Sequence, residues 1–151
     1  MPATSLRSAR LMRRWLYDRP GLLRRVASPP RQNAAVSRAW VDYEAGSEKA
    51  NEWGLHRVFE ITDKAAIGEQ WLLILSLCAA AKNTDPEVVA VLGAGPLEDF
   101  IRRFGDDAMD LIEPQLESNP TLLFALAGVW PGDEMRGRVA RALAAHGQEP
   151  Y

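Results

Sequence analysis

The chain of 151 residues is long enough for one hydrophobic core and too short for two ordinary domains of about 100 to 150 residues each. Its 47% hydrophobic and 25% charged residues are typical of a folded globular protein and exclude wholesale disorder. The single cysteine, Cys78, excludes an intramolecular disulfide, and the net charge of −2 conceals two segments of opposite charge.

The first of these segments is an arginine-rich N-terminal arm. Residues 1–31 hold eight arginines against one acid, a net charge of +7, whereas the rest of the chain carries −9. Ser28-Pro29-Pro30 breaks a helix and is typical of a linker. We therefore divide the chain into arm and linker, residues 1–31, and a single domain, residues 32–151.

The arm has the pattern of a basic amphipathic helix over residues 4–17. Leu11, Met12, Trp15 and Leu16 fall on one side at helical spacing. The other side carries a candidate anion-binding set: Arg7, Arg10, Arg13 and Arg14. Such an arm can dock on the acidic body, bind nucleic acid or an anionic membrane surface, act as a targeting peptide, or have no function. We expect docking, because it buries apolar side chains and needs no second molecule.

The domain predicts helices and no strands. Segments 33–50 and 53–61 carry apolar residues at helical spacing. A third helix, capped by Asp63 and running to about Lys82, is apolar around nearly its whole circumference, so we expect it at the centre of the fold. Its apolar run, residues 71–81, is shorter than the about 20 residues that a membrane span requires.

Three later helix starts are indicated by a capping residue followed by proline: Asp85-Pro86, Gly95-Pro96 and Asn119-Pro120. The second of these helices ends at Gly105, where a left-handed residue is expected. Pro114 shortens or kinks a helix over 106–117, and two more helices follow over 120–129 and 133–145. The predicted fold is all-α, either a compact irregular bundle or a short array of antiparallel helix pairs.

The residue pattern predicts no catalytic, cofactor-binding or metal site. Gly93-Ala94-Gly95-Pro96 lacks the lysine and hydroxyl residue of a phosphate-binding loop. Glu98 and Asp99 form a candidate acid pair, but neighbours on a helix point about 100° apart. The two histidines and the cysteine show no metal-ligand spacing. Trp71 is expected in the core. Trp130, at a helix end just before Pro131-Gly132, can line a cleft or an interface.

Residues 94–99 read AGPLED, and a closing GVW ends at Trp130. With these motifs, residues of about 39–130 resemble a bacterial family of helical domains of unknown function. The resemblance rests on a set of signature residues: Trp71, Gly95, Pro96, Leu97, Glu98, Asp99, Gly105 and Trp130. It implies a compact helical domain in bacteria and no reaction, cofactor or substrate, and it omits the arm.

The function favoured by the sequence is non-catalytic binding of another protein, as an adaptor or an immunity-type neutraliser in the cytoplasm. An acidic body suits a basic partner and repels phosphate, which favours a protein over nucleic acid. Two alternatives stay open. One is an enzyme whose acid-lined cleft contains Glu98 and Asp99, and the other is a binder of nucleic acid or an anionic surface through the arm. The sequence does not indicate an oligomeric state.

Overall fold

The computed structural model describes residues 30–46 and 51–150. The arm's predicted helix lies outside these residues and remains a prediction. The described part of the chain is all-α, as predicted, without a strand. Its α-helices, in chain order, are α1 (Pro30–Glu44), α2 (Glu52–Lys64), α3 (Ile67–Ala81), α4 (Pro86–Leu92), α5 (Glu98–Phe104), α6 (Asp106–Ile112), α7 (Pro120–Ala127) and α8 (Asp133–Ala144).

Helix α3 is the centre of the fold, which confirms the prediction from its apolar circumference. It contacts α1, α2, α4, α5 and α7, and Leu73, Ile74 and Leu77 are completely buried. Its predicted cap was wrong, because Asp63 lies in the last turn of α2 and α3 begins only at Ile67. Helix α2 continues through Asp63, so the carboxylate belongs to the end of one helix rather than the start of the next.

Two of the three predicted helix starts are confirmed. Asp85 Oδ1 accepts a hydrogen bond from the Glu87 backbone N–H at 2.9 Å, at the start of α4. Asn119 Oδ1 accepts from the Leu122 backbone N–H at 3.0 Å, at the start of α7. In both helices proline occupies the first position, where its missing N–H leaves no hydrogen bond unmade.

The third predicted start, Gly95-Pro96, was wrong. The chain runs from α4 to α5 without a break through a π-helical turn, Gly93–Leu97. In an α-helix Pro96 would lose a hydrogen bond and its ring would meet the carbonyl four residues earlier. The wider turn accommodates this defect. Leu92, just before this turn, and Leu97, its last residue, are completely buried, so core packing holds α4 and α5 together across the turn.

Gly93 lets this continuous helix lie directly against α7. A Cβ atom at position 93 would lie only 2.1 Å from the Ala125 carbonyl oxygen. Side chains therefore cannot separate the two backbones at this point. The glycine that packing requires is Gly93, whereas a Cβ atom at Gly95 would meet nothing within 4 Å.

In the C-terminal third of the chain the structure agrees with the predictions for Gly105 and Pro114. Gly105 ends α5 with φ of +53°, and the Pro114 region forms a 3-10 turn, Glu113–Gln115, after a shortened α6. Arg138 connects α8 to α6 and to the 3-10 turn. Its guanidinium contacts three carboxylates at 2.7 to 2.8 Å: Asp106, Asp110 and Glu113.

Helix α2 buries a stripe of small and β-branched residues and leaves its two aromatic residues, Trp53 and Phe59, exposed. Its buried stripe consists of Gly54, Val58 and Thr62, spaced four residues apart. A Cβ atom at Gly54 would lie 2.7 Å from the Ala39 Cβ atom, so α1 and α2 approach closely. This contact leaves the aromatic residues of α2 at the surface.

Candidate binding site

Glu98 and Trp130 are joined by hydrogen bonds although they lie far apart in the sequence. The Trp130 backbone N–H donates to Glu98 Oε2 at 2.9 Å, and Glu98 Oε1 pairs with Arg102 Nη2 at 2.9 Å. Arg102 also donates to the Trp130 carbonyl oxygen at 3.1 Å. These contacts hold the chain after α7 against α5, which gives Glu98 a structural role.

The Trp130 indole lies at the surface. The residue is 64% exposed, and the Arg136 guanidinium carbon lies 5.8 Å from its ring centroid. The ring therefore does not pack in the core, and its predicted role in a cleft or an interface stays a prediction. The backbone contacts with Glu98 and Arg102 fix the point from which the ring projects.

The other signature residues pack the interior or shape the backbone. Trp71 is 3% exposed, as predicted. Its ring stacks on Phe100 with centroids 5.7 Å apart and 17° between the planes. Pro96 and Leu97 are buried in the π-helical turn, and Gly105 ends α5.

Asp99 lies in a different environment from Glu98. It lines an open cleft of about 540 Å³ together with residues of α2, a lining in which Glu98 has no part. We call this feature the Phe59 cleft. Its lining residues are Phe59, Glu60, Thr62, Asp63, Lys64 and Asp99. The structure therefore does not bring the predicted acid pair to one site.

The Phe59 cleft continues into a smaller recess of about 70 Å³. Phe59, Thr62 and Asp99 line both. The recess adds Glu44 from α1 and Val91 from α4. Phe59 is 56% exposed and Val91 is 40% exposed, so the cleft and its recess present apolar surface to the solvent. Gly95 and Pro96 complete one wall, which brings the AGPLED motif to this site.

The charges around the Phe59 cleft are mainly negative. Four acids line the cleft and its recess, Glu44, Glu60, Asp63 and Asp99, against a single lysine. Burial raises the pKa of Glu44 above its ordinary value. Burial and then the Glu98 carboxylate raise the pKa of Asp99, while Arg102 lowers it. A cation placed between these acids would therefore relieve unfavourable burial of charge.

Replacing Asp99 by asparagine is expected to raise stability at neutral pH. The raised pKa means that folding disfavours the ionised form, so stability falls as pH rises through the unfolded-state pKa towards the folded-state value. Asp99→Asn removes this loss, and the gain should vanish near pH 2, where both states are protonated. Because the Asp99 carboxyl group is only partly buried and the residue remains largely open to solvent, we expect well under about 1 kcal/mol in denaturant unfolding.

Asp107→Asn provides a control of the opposite sign. Asp107 lies in the first turn of α6, where a carboxylate interacts favourably with the helix dipole. Its replacement should lower stability slightly at neutral pH. A loss of stability in Asp99→Asn at pH 7 would contradict the assignment.

The titratable side chains that line the cleft and its recess are four carboxyl groups and one lysine. Glu44 and Asp99 are candidate general acids because their pKa values are raised. The Thr62 hydroxyl contacts the carbonyl oxygens of Val58 and Phe59, both at 3.0 Å, so it is engaged in the helix. Histidine and cysteine are missing from the cleft and recess lining that the structure describes. Burial raises the pKa of the distant Cys78 thiol to about 12, which disfavours its thiolate.

A second groove lies on the other side of Glu60. It is lined by Ala35 and Val36 of α1 and by Trp53, His56, Arg57 and Glu60 of α2. Trp53 is 49% exposed. Arg57 Nη1 contacts Glu60 Oε2 at 2.6 Å, so this groove is less acidic than the Phe59 cleft. Helix α2 thus presents one exposed aromatic residue to each of two concave surfaces.

The sequence prediction missed Phe59 and Glu44 as site residues. It treated segment 53–61 only as a helix with apolar residues at helical spacing. The available signal was the spacing of Gly54, Val58 and Thr62, which predicts a close helix contact and displaces the bulky residues from the core.

The part of the chain that the structure describes contains neither a cluster of metal ligands nor a membrane-spanning helix. Among residues 30–46 and 51–150, no three His, Cys, Asp or Glu side chains are grouped as metal ligands. In the same ranges, no helix has the length and apolar character needed to cross a membrane.

The fold and cleft define a small all-α domain with an acid-lined apolar surface. Residues 42–147 match the model of a Family of unknown function (DUF6869), and the chain belongs to that family. The match includes α2 to α8 and excludes the arm. Neither the curated proteins nor the solved structures include a match to this chain.

Proposed function

We propose that the protein is a non-catalytic interaction module, an adaptor or immunity-type protein, whose Phe59 cleft binds a basic and partly apolar segment of a partner protein. The observation that carries this proposal is the burial pattern of α2, which packs Gly54, Val58 and Thr62 inwards and leaves the Phe59 ring exposed. Exposed apolar surface bordered by charge is typical of interaction sites.

The charge of the cleft supports a basic partner. Lysine or arginine side chains would meet Glu44, Asp63 and Asp99, while an apolar side chain contacts Phe59. Complementary charge favours fast and selective association. Nucleic acid fits this surface less well, since its phosphates would face the same acids.

The cellular setting is also part of the proposal. The AGPLED and GVW motifs support a bacterial origin. A single cysteine that is buried and unpaired is compatible with a reducing compartment, which supports the cytoplasm.

The test is co-purification with a charge-reversed cleft. Asp63→Lys combined with Asp99→Lys should lower capture of the partner from the source cells at least about tenfold, because a basic segment would then meet lysines. The captured protein should contact the cleft through a basic segment in cross-linking. A second variant, Phe59→Ser, removes the apolar contact without changing the charge and should also lower capture.

The matched control is Glu117→Lys combined with Glu134→Lys. Both acids are exposed and neither lines the Phe59 cleft, so the net charge changes equally while the cleft remains intact. Capture by the control should stay within about twofold of the parent chain, with similar melting temperatures for all variants. Equal losses in the control and the cleft variants would overturn the proposal.

A further inference from the structure

We propose that the arm of this same chain occupies the Phe59 cleft in cis and competes with the partner segment for it. This inference rests on the proposed function, because it assigns an internal competitor to the same surface. The arm and the cleft have the matching chemistry: a basic segment with an apolar stripe, and an acid-lined surface with exposed Phe59 and Val91.

Charge complementarity is the first support. Residues 1–31 carry +7, and the cleft with its recess carries three acids besides the Arg57-paired Glu60, namely Glu44, Asp63 and Asp99, against Lys64. The second groove, beside Trp53, is a poorer match because Glu60 is the single acid in the lining that the structure describes there, and it is paired with Arg57. The four arginines on one side of the predicted arm helix can face the acids while the opposite stripe contacts Phe59.

The place where the arm joins the domain is the second support. Helix α1 begins at Pro30 and ends at Glu44, which lines the recess. Its 15 residues span about 22 Å. The segment between the amphipathic stretch and α1, residues 18–29, reaches about 40 Å when extended. The connecting segment is therefore long enough to run from Pro30 along the length of α1 to the recess at Glu44.

Covalent attachment strengthens this competition. A short flexible connection gives an effective concentration on the order of 1 mM. If the arm segment alone binds the cleft with a Kd of about 100 µM, attachment weakens binding of a competing peptide about tenfold. A partner segment must bind tightly enough to displace the arm, so the arm sets the lowest affinity at which a partner can occupy the cleft.

The experiment measures a synthetic peptide of residues 4–17 binding to two full-length chains. One is the parent, and the other carries Arg7, Arg10, Arg13 and Arg14 changed to glutamine, so that its own arm is neutralised. We expect about tenfold tighter peptide binding by the neutralised chain, and loss of that binding when Asp63→Lys and Asp99→Lys are added. Equal binding by the two chains would overturn occupancy in cis while leaving the Phe59 cleft as a binding site.

Disulfide trapping in the full chain independently tests whether the arm lies at the Phe59 cleft. Arg14→Cys paired with Asp63→Cys should cross-link at least about tenfold faster than Arg14→Cys paired with Glu117→Cys, and buried Cys78 should not interfere. Equal cross-linking, or arm-dependent binding to RNA or anionic vesicles without peptide binding to either chain, would overturn the inference. The co-purification test then decides separately whether the proposed function stands.

Discussion

Replacing Gly93 by alanine is expected to lower the free energy of unfolding by about 3 kcal/mol or more. The added Cβ atom would lie 2.1 Å from the Ala125 carbonyl oxygen. That atom belongs to the backbone of α7, so no flexible side chain can move aside, and one helix must shift against the buried core. For a domain with a typical stability of about 5 to 15 kcal/mol, this is a large loss.

Gly95→Ala is the matched control two residues along the same π-helical turn. A Cβ atom there meets nothing within 4 Å, and Gly95 does not have a positive φ. Alanine should be tolerated or stabilise the helix by up to about 1 kcal/mol. Denaturant unfolding of the two variants measures the difference. Equal stability would contradict the described contact between the π-helical turn and α7.

Replacing Arg138 by methionine is expected to cost about 2 kcal/mol. The guanidinium donates to both carboxylate oxygens of Glu113, at 2.8 and 3.0 Å, and also contacts Asp110 and Asp106. Hydrogen bonds to Glu113 and then to Asp110 and Asp106 raise the pKa of Arg138, while burial lowers it. Methionine retains the apolar stem but leaves three neighbouring carboxylates without their shared cation.

Arg136→Met, on the same helix, provides the comparison. Arg136 pairs with Asp133 at 2.9 Å, and both side chains are largely exposed. Its replacement should change stability by no more than about 0.5 kcal/mol. Adding Glu113→Gln to Arg138→Met should recover part of the loss by removing one repelling charge. Equal melting temperatures for the two arginine variants would contradict a stabilising role for the contacts of Arg138 with the three carboxylates.

The features of the fold that were predictable depend on local chemistry. Asp85 and Asn119 cap their helices through their own side chains, so the pattern of a capping residue and proline was sufficient. Gly105 likewise adopts a positive φ that favours glycine. Helix α3 was identified because its apolar circumference admits only a buried position.

The features that were not predictable depend on distant contacts. Gly95-Pro96 has the same local pattern as the true helix starts, but buried Leu92 and Leu97 hold the helix continuous across it. The Phe59 cleft required knowing that Gly54 packs against α1, because only then is Phe59 left outside. Glu44 and Asp99 lie 55 positions apart, and no spacing rule places them on one recess.

The π-helical turn also fixes the angular register of the helix that contains it. Each residue of an α-helix advances about 100°, and a π-helical turn contains one more residue than a regular turn. Removing one residue from Gly93–Leu97 would rotate the face of α5 by about 100° relative to α4. Phe100 would then leave the core and Asp99 would leave the cleft. In this segment the number of residues constrains the protein as strictly as their identity.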